Sequence, residues 1–283
     1  MIVPTLDVGA SLRRCLASIT RQNGVATETI VVDQASRDGT RDIALAAGAQ
    51  VVSLPRPRFY GEFTPRARNV GARQARGQYL LHFDGDMELP PGALAACVRT
   101  AEREKHIAIV LHEEDAAEGY WARCKALERR CYKGTPSVEA ARFVRSDVFW
   151  RVGGYDDELG GGGEDWDIHA RYARSGSIGA VALPVVHHVG RLSVHRHLRK
   201  KFAYGRTAMP YLRKGGVSPI ASGMWRAYAR CWRLLAGDPA HGVGFLALRS
   251  AEVAALALGI AFERIVGTAE PSGGGDRGSR ALQ

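Results

Sequence analysis

The chain has 283 residues, 46% of them hydrophobic and 24% charged, with a formal net charge of +10. That length and balance suit a soluble globular protein of one large domain, or one domain with a helical appendage. Five scattered cysteines (Cys15, Cys97, Cys124, Cys131, Cys231), none in a Cys-x-x-Cys pair, argue against a disulfide frame or a zinc site and for reduced thiols in the cytoplasm.

The first two-thirds alternates strand and helix patterns. Met1–Thr5 reads as a short apolar strand and Ser11–Gln22 as a helix, with Leu12, Cys15, Leu16 and Ile19 at helical spacing. Strands are predicted over Glu28–Asp33, Gln50–Leu54, Gln78–Phe83 and His106–His112, and helices over Thr40–Ala47, Pro65–Arg76 and from Pro90-Pro91 to Lys105. This order predicts an α/β fold with a doubly wound, mostly parallel sheet and ligands at the carboxyl ends of its strands. Beyond 113 the pattern changes: a helix over Glu118–Tyr132, a strand over Ala140–Val144, four glycines at 160–163, a helix over Glu164–Ser175 and a strand over Val181–Val189. Helical stretches at 194–213, 218–236 and 242–266 follow, with a Gly- and Ser-rich tail from 268 expected to be disordered. Residues 1–193 thus read as one α/β domain, its halves meeting near 112, and 194–267 as a basic, amphipathic helical region. Met1-Ile2-Val3 runs into Pro4 without a basic signal segment, and the uncharged stretch Val253–Phe262 is too short to span a bilayer.

Charge is distributed unevenly. Residues 168–237 hold 13 Arg and Lys and no Asp or Glu, leaving 26 basic and 29 acidic residues elsewhere. Such a block suits phosphate-rich partners: anionic headgroups, a pyrophosphate or nucleic acid. Nucleic acid fits poorly, because it leaves the acidic pairs unexplained. Arg196, Arg199, Lys200, Lys201, Arg206, Arg213 and Lys214 precede Trp225, Tyr228, Trp232, Leu234 and Leu235. That juxtaposition suits an anionic membrane surface; the alternative is a helical subdomain packed on the sheet, with its charges solvated or meeting a partner subunit, including that of a homo-oligomer.

Four segments carry chemistry. Asp84-Gly85-Asp86 closes a predicted strand; two carboxylates there suit a hard divalent cation, Mg²⁺ or Mn²⁺, although Asp-Gly-Asp is also ordinary turn chemistry. Asp33 ends another strand and can accept from a base or ribose edge, while Ser36 and Asp38 are either ligand contacts or helix caps. Arg68 near a helix start can clamp a phosphate. After four glycines, Glu164 and Asp165 open a helix in which Asp165 can serve as a general base and Trp166 can present a flat face. His187 and His188 sit in one strand with their rings on opposite faces.

Taken in order, these pieces resemble family 2 glycosyltransferases of the GT-A fold. The matching segments are Pro4-Thr5, Asp33 through Thr40, Ala67-Arg68-Asn69-x-Gly71, Asp84-Gly85-Asp86, and Phe143 through Asp156 leading to Glu164-Asp165 and Arg171. The resemblance covers residues 1 to about 215. It implies a metal-dependent, inverting transfer from a nucleotide-diphosphate sugar, with a uridine nucleotide favoured, to a glycan or lipid-linked hydroxyl. It implies that Asp33 holds the base, with Pro4, Thr5, Asp7, Ser36, Asp38, Arg68, Asp84 and Gly85 around the donor. Asp86, less directly Asp84, and His188 or His187 would hold Mn²⁺ or Mg²⁺. Asp165, with Glu164 beside it, would deprotonate the acceptor, and Gly163, Trp166 and Arg171 would line the acceptor side. Leu6-Asp7 and Gln34 depart from the family's usual residues. A nucleotidyltransferase would need a glycine-rich phosphate loop that Val3–Gly9 does not provide. The expected location is the cytoplasm, with peripheral attachment to the inner face of the cell membrane as the alternative.

Overall fold

The computed structural model of the protein describes residues 1–59, 61–135, 138–160, 163–215 and 217–267. In chain order the elements are β1 (Ile2–Thr5), α1 (Gly9–Thr20), β2 (Ile30–Asp33), α2 (Thr40–Ala46), β3 (Gln50–Ser53), α3 (Thr64–Gln74), β4 (Tyr79–Leu81), β5 (Met87–Glu88), α4 (Ala93–Glu104) and β6 (Ala108–Glu118). Then come α5 (Gly119–Tyr132), β7 (Phe143–Arg145), α6 (Ser146–Arg151), α7 (Glu164–Ser175), β8 (Ile178–Arg191), α8 (Val194–Arg206), α9 (Met209–Arg213), α10 (Val217–Arg230), α11 (Trp232–Gly237) and α12 (Pro239–Gly267). The tail from 268 lies outside the described residues, as do Gly161, Gly162 and the side chain of Trp225.

The first sheet is parallel, in the order β1-β2-β3. The second sheet, β4-β7-β6-β8-β5, is mixed: β6 and β8 run parallel while β7 and β5 add antiparallel pairs. A parallel bridge between Ile2 and His82 joins the two sheets. Successive strand residues point to opposite faces, and the strands are apolar on both. Val3, Val31, Leu81 and Ile109 enter one core with α1 and α4. Ile2, Ile30, Val32, Leu80, Ala108 and Val110 enter the other with α3, α6 and α7. Continuous apolar runs are what a sheet covered on both sides requires. Gly71 lets α3 lie directly on the sheet, since a Cβ there would stand 2.5 Å from Ile2 Cγ2.

Two expectations change. The predicted strand 106–112 continues to Glu118, because the acidic run after Leu111 pairs with Val185–His187 across two register shifts. And the charge-free stretch at 253–262 is part of a much longer helix. Pro239–Val266 is long and apolar enough to cross a membrane by length and composition: its most apolar 18-residue stretch has a mean hydropathy of 1.7, and only 22% of that stretch is buried. Arg249 and Glu252 interrupt it in sequence, but they pair with each other at 2.9 Å on the inner side.

Candidate active site

The carboxyl ends of β1 and β2 hold the first cluster. Asp33 is 3% exposed; its carboxylate accepts from Thr5 Oγ1 at 3.2 Å and from the Ser36 amide at 3.2 Å. Asp7 has φ 52°, accepts from the Arg37 amide at 2.8 Å and pairs with Arg56 at 2.5 Å. The Arg56 bond is the chief cause holding the Asp7 carboxyl below its usual range. Ser36 and Asp38 bond across the loops: Ser36 Oγ accepts from the Asp7 amide at 2.9 Å, and Asp38 accepts from the amides of Gly9 at 2.9 Å and Thr40 at 3.1 Å. They lock the β1–α1 and β2–α2 loops to each other. Pro4 is half-buried in β1, and Gly85 packs under the first loop, where a Cβ would meet Val8 Cγ2 at 3.1 Å.

A second cluster forms at the junction of the two sheets. Arg68, on α3 and 3% exposed at its side chain, donates Nη2 to Asp84 Oδ1 at 3.1 Å and Nη1 to Asp165 Oδ1, with Glu164 Oε1 at 3.7 Å. Its guanidinium lies 5.1 Å above the Tyr155 ring. Arg142, just before β7, mirrors it: Nη1 donates to Asp84 Oδ2 at 2.6 Å and Nη2 to Asp165 Oδ2 at 3.2 Å. Two carboxylates 81 positions apart in sequence are therefore held by two buried guanidinium forks. Burial alone would raise the Asp84 pKa, but Arg142 and Arg68 outweigh it and bring it far below the usual carboxylate range. Glu164 moves the other way: burial and the adjacent Asp165 charge push it up, against the pull of Arg68. Asn69 positions this wall by donating Nδ2 to the Tyr155 carbonyl at 2.7 Å and accepting from the Tyr155 amide at 2.9 Å.

Asp86 stands apart from this network. Its side chain is 42% exposed and its Oδ2 lies 3.2 Å from His187 Nε2. His187 Nδ1 is 3.2 Å from Asp115 Oδ1, whose side chain is 3% exposed and which meets Arg129 Nε at 2.7 Å. Burial opposes a charge on His187, yet its bonds to Asp115 and Asp86 raise its pKa to about 9. Asp115 and Arg129 thus both lie behind the ring, on the nitrogen away from Asp86, with Arg129 Nη2 3.3 Å from Nδ1. Asp86 and His187 suit a divalent cation as two protein ligands. No group of three His, Cys, Asp or Glu converges among the described residues, so phosphate and water would have to fill the other positions, as is common for Mg²⁺. Asp84 meets Arg68 and Arg142 through its two oxygens, and its side chain is 30% exposed. His188 points to the opposite face and meets Glu88 at 2.9 Å, away from Asp86, because adjacent strand residues alternate.

Gly163, Trp166 and Arg171, expected on the acceptor side, are each engaged within the protein. Trp166 Nε1 donates to the Val138 carbonyl at 3.0 Å, and its ring lies 6.3 Å from that of Tyr211. Gly163, at φ 135°, backs onto Tyr211, whose Cγ a Cβ would meet at 2.6 Å. Arg171 donates to Asp167 and to the carbonyls of Val152 and Gly154 at 2.7 and 2.5 Å. Those bonds tie α7 to the loop after α6.

Sequence reasoning missed Arg142, Asp115 and Arg129, and it placed Tyr155 within the Phe143–Asp156 segment without a role. Asp115 lies in the acidic run Glu113–Asp115 directly after an apolar strand, which was the one available signal.

A family model described as glycosyl transferase family 2 matches residues 1–144. The glycosyltransferase AglE of Haloferax volcanii is 32% identical over 91 residues, covering 30% of this chain and 29% of AglE. The chain spans about a third of the length of the curated relatives it matches. The mannosyltransferase PcManGT of Pyrobaculum calidifontis, solved with GDP-Man and Mn²⁺, superposes with a TM-score of 0.58 at 20% identity, covering 95% of this chain and 78% of that one. S. aureus TarS in complex with UDP-GlcNAc superposes with a TM-score of 0.54 at 12% identity, covering 94% and 89%. The fold is that of GT-A glycosyltransferases.

Proposed function

This chain belongs to glycosyl transferase family 2, and on that premise we propose that it transfers a sugar from a nucleoside-diphosphate sugar to a hydroxyl of a glycan or lipid-linked acceptor, with inversion at the anomeric carbon. The observation that carries this reading is the convergence of Arg68 and Arg142 on Asp84 and Asp165. Two fixed guanidinium charges, held in place without the ligand, stand where a departing diphosphate develops negative charge. Asp165, partly open to solvent at the start of α7, takes the proton of the incoming hydroxyl. Tyr155, 3.4 Å from its Oδ1, orients it. Asp33 and the loops joined by Ser36 and Asp38 form the base-side floor. A bound Mn²⁺ or Mg²⁺ would neutralise the leaving diphosphate as a Lewis acid, and Asp86 and His187 are the residues to hold it. The donor favoured is a UDP-sugar. The similar structures carry both guanosine and uridine nucleotides, so the panel that tests it includes both.

The test is thermal-shift titration of the full chain with UDP- and GDP-sugars, with and without Mn²⁺. One donor should raise Tm only when Mn²⁺ is present, and Asp86→Ala should abolish that metal-dependent part. No shift with any donor would overturn the reading, and an undiminished shift in Asp86→Ala would overturn the metal assignment.

A further inference from the structure

Helix α12 buries Phe245 and Leu248 together with charged residues on its inner side, and leaves large apolar side chains along its outer side, where a soluble helix packed on a core is polar. On the inner side, Glu252 is 2% exposed and meets His197 at 2.6 Å, Lys125 at 2.9 Å and Arg249 at 2.9 Å. Glu263 pairs with Arg206 at 2.8 Å. Two glycines bring the helices close on the same side: a Cβ on Gly259 would stand 2.1 Å from the Phe202 carbonyl of α8, and one on Gly244 would stand 2.3 Å from the Tyr120 hydroxyl of α5. On the outer side, Val243, Leu246, Val253, Leu258, Phe262 and Ile265 are 43–71% exposed. They lie on one half of the helix between Val243 and Ile265, roughly 34 Å of its length. Exposed contiguous apolar surface of this extent is unusual on a protein that faces only water.

We propose that this face is a membrane-docking surface, with α12 lying in the plane of an anionic bilayer and its outer stripe in the acyl-chain boundary. The packing sets the orientation. Contacts from Ala240, which accepts from Tyr120, to Glu263, which pairs with Arg206, hold the helix lengthwise against α5 and α8, so it meets lipid side-on. Charge selects the partner. The flanking helices α8 and α11 expose Arg196, Arg199 and Arg233 within a block of 70 residues that has no carboxylate. Trp232, 59% exposed, lies beside Arg233, an aromatic–basic pairing suited to the headgroup level. A second copy docked on the same face would bring these arginines against their own images, whereas anionic headgroups complement them. This deepens the lipid-linked part of the function proposed above. It can fail separately, because none of these residues touches the donor site.

The test is co-sedimentation of the full chain with phosphatidylcholine vesicles, with and without about 30% phosphatidylglycerol. Binding should require the anionic lipid. The double variant Leu246→Glu/Leu258→Glu, exposed at both positions, should keep its Tm and its donor-induced shift but bind at least about tenfold more weakly. Arg196→Ala, Arg199→Ala and Arg233→Ala should each weaken binding by about fivefold, and less at high salt. Failure to sediment with either vesicle, or unchanged binding by the Leu246/Leu258 variant, would overturn the proposal. So would a dimer in sedimentation velocity that this variant dissociates while the parent ignores lipid.

Discussion

Asp165→Asn separates the roles of the clustered carboxylates most cleanly. Asparagine keeps the shape and one acceptor oxygen but cannot take a proton at neutral pH. If Asp165 is the general base, its loss should slow turnover by about 10²–10⁴-fold, equivalent to roughly 3–5 kcal/mol of barrier. The structural cost is smaller. Arg68 and Arg142 each keep Asp84 as a partner, at 3.1 and 2.6 Å, so neither guanidinium is left buried without a counter-charge. Weakening their bonds to residue 165 should cost about 1–3 kcal/mol of stability, well short of unfolding. Asp33 and Asp86 are untouched, so donor affinity should stay within about threefold. The assays are nucleoside-diphosphate release at saturating donor with Mn²⁺, for turnover, and calorimetric titration of donor, for affinity. Turnover within tenfold of the parent would refute the base assignment. A fall in turnover matched by an equal fall in donor affinity would do the same, because it would make Asp165 a part of the donor cradle.

Two further outcomes concern the helical layer. Gly259→Ala should force α12 and α8 apart and cost about 1–3 kcal/mol, lowering Tm by about 2–4 °C per kcal/mol. Gly237→Ala, where a Cβ meets nothing within 4 Å, should change Tm little; equal shifts in the two would discard the close-packing argument. Glu252 supplies a pH signature. Burial alone would raise its pKa, but His197, Lys125 and Lys201 together hold it far below the usual range. A folded pKa below the unfolded one gives stability that is complete above about pH 4.3 and drains away as pH falls toward the folded value. Denaturation measured from pH 6 to 3 should therefore show a loss that Glu252→Gln reduces, with the variant already weaker at pH 6. Parallel curves for the two proteins would show that Glu252 does not carry the effect.

Much of the site was written in local pattern. The apolar runs ending at Asp33 and Asp84 could only be covered strands, and each delivered its carboxylate to the rim of the sheet. The spacing of Ala67-Arg68-Asn69 on α3 put Arg68 toward that rim and Asn69 under the loop that holds Tyr155. Arg142 left no such trace. It is one more charged residue before a three-residue strand, and its role arises because β7 lies between β4 and β6. Asp115 became the support of His187 for a similar reason: β6 runs on past its apolar portion and pairs Asp115 with His187.

The sequence by itself determined the ends of β1 and β2, the motif residues along the chain and the family they mark, because strand period and motif spacing are local properties of the chain. Only the tertiary structure decided which carboxylate is clamped and which is free. Asp84 is shared by two guanidiniums that approach from α3 and from the edge of β7, whereas Asp86, two residues on, turns to His187. It also decided which side of α12 faces out. Composition counts the Arg249, Glu252 and Glu263 charges without direction, and only packing against α5 and α8 turns them inward and leaves the apolar stripe exposed.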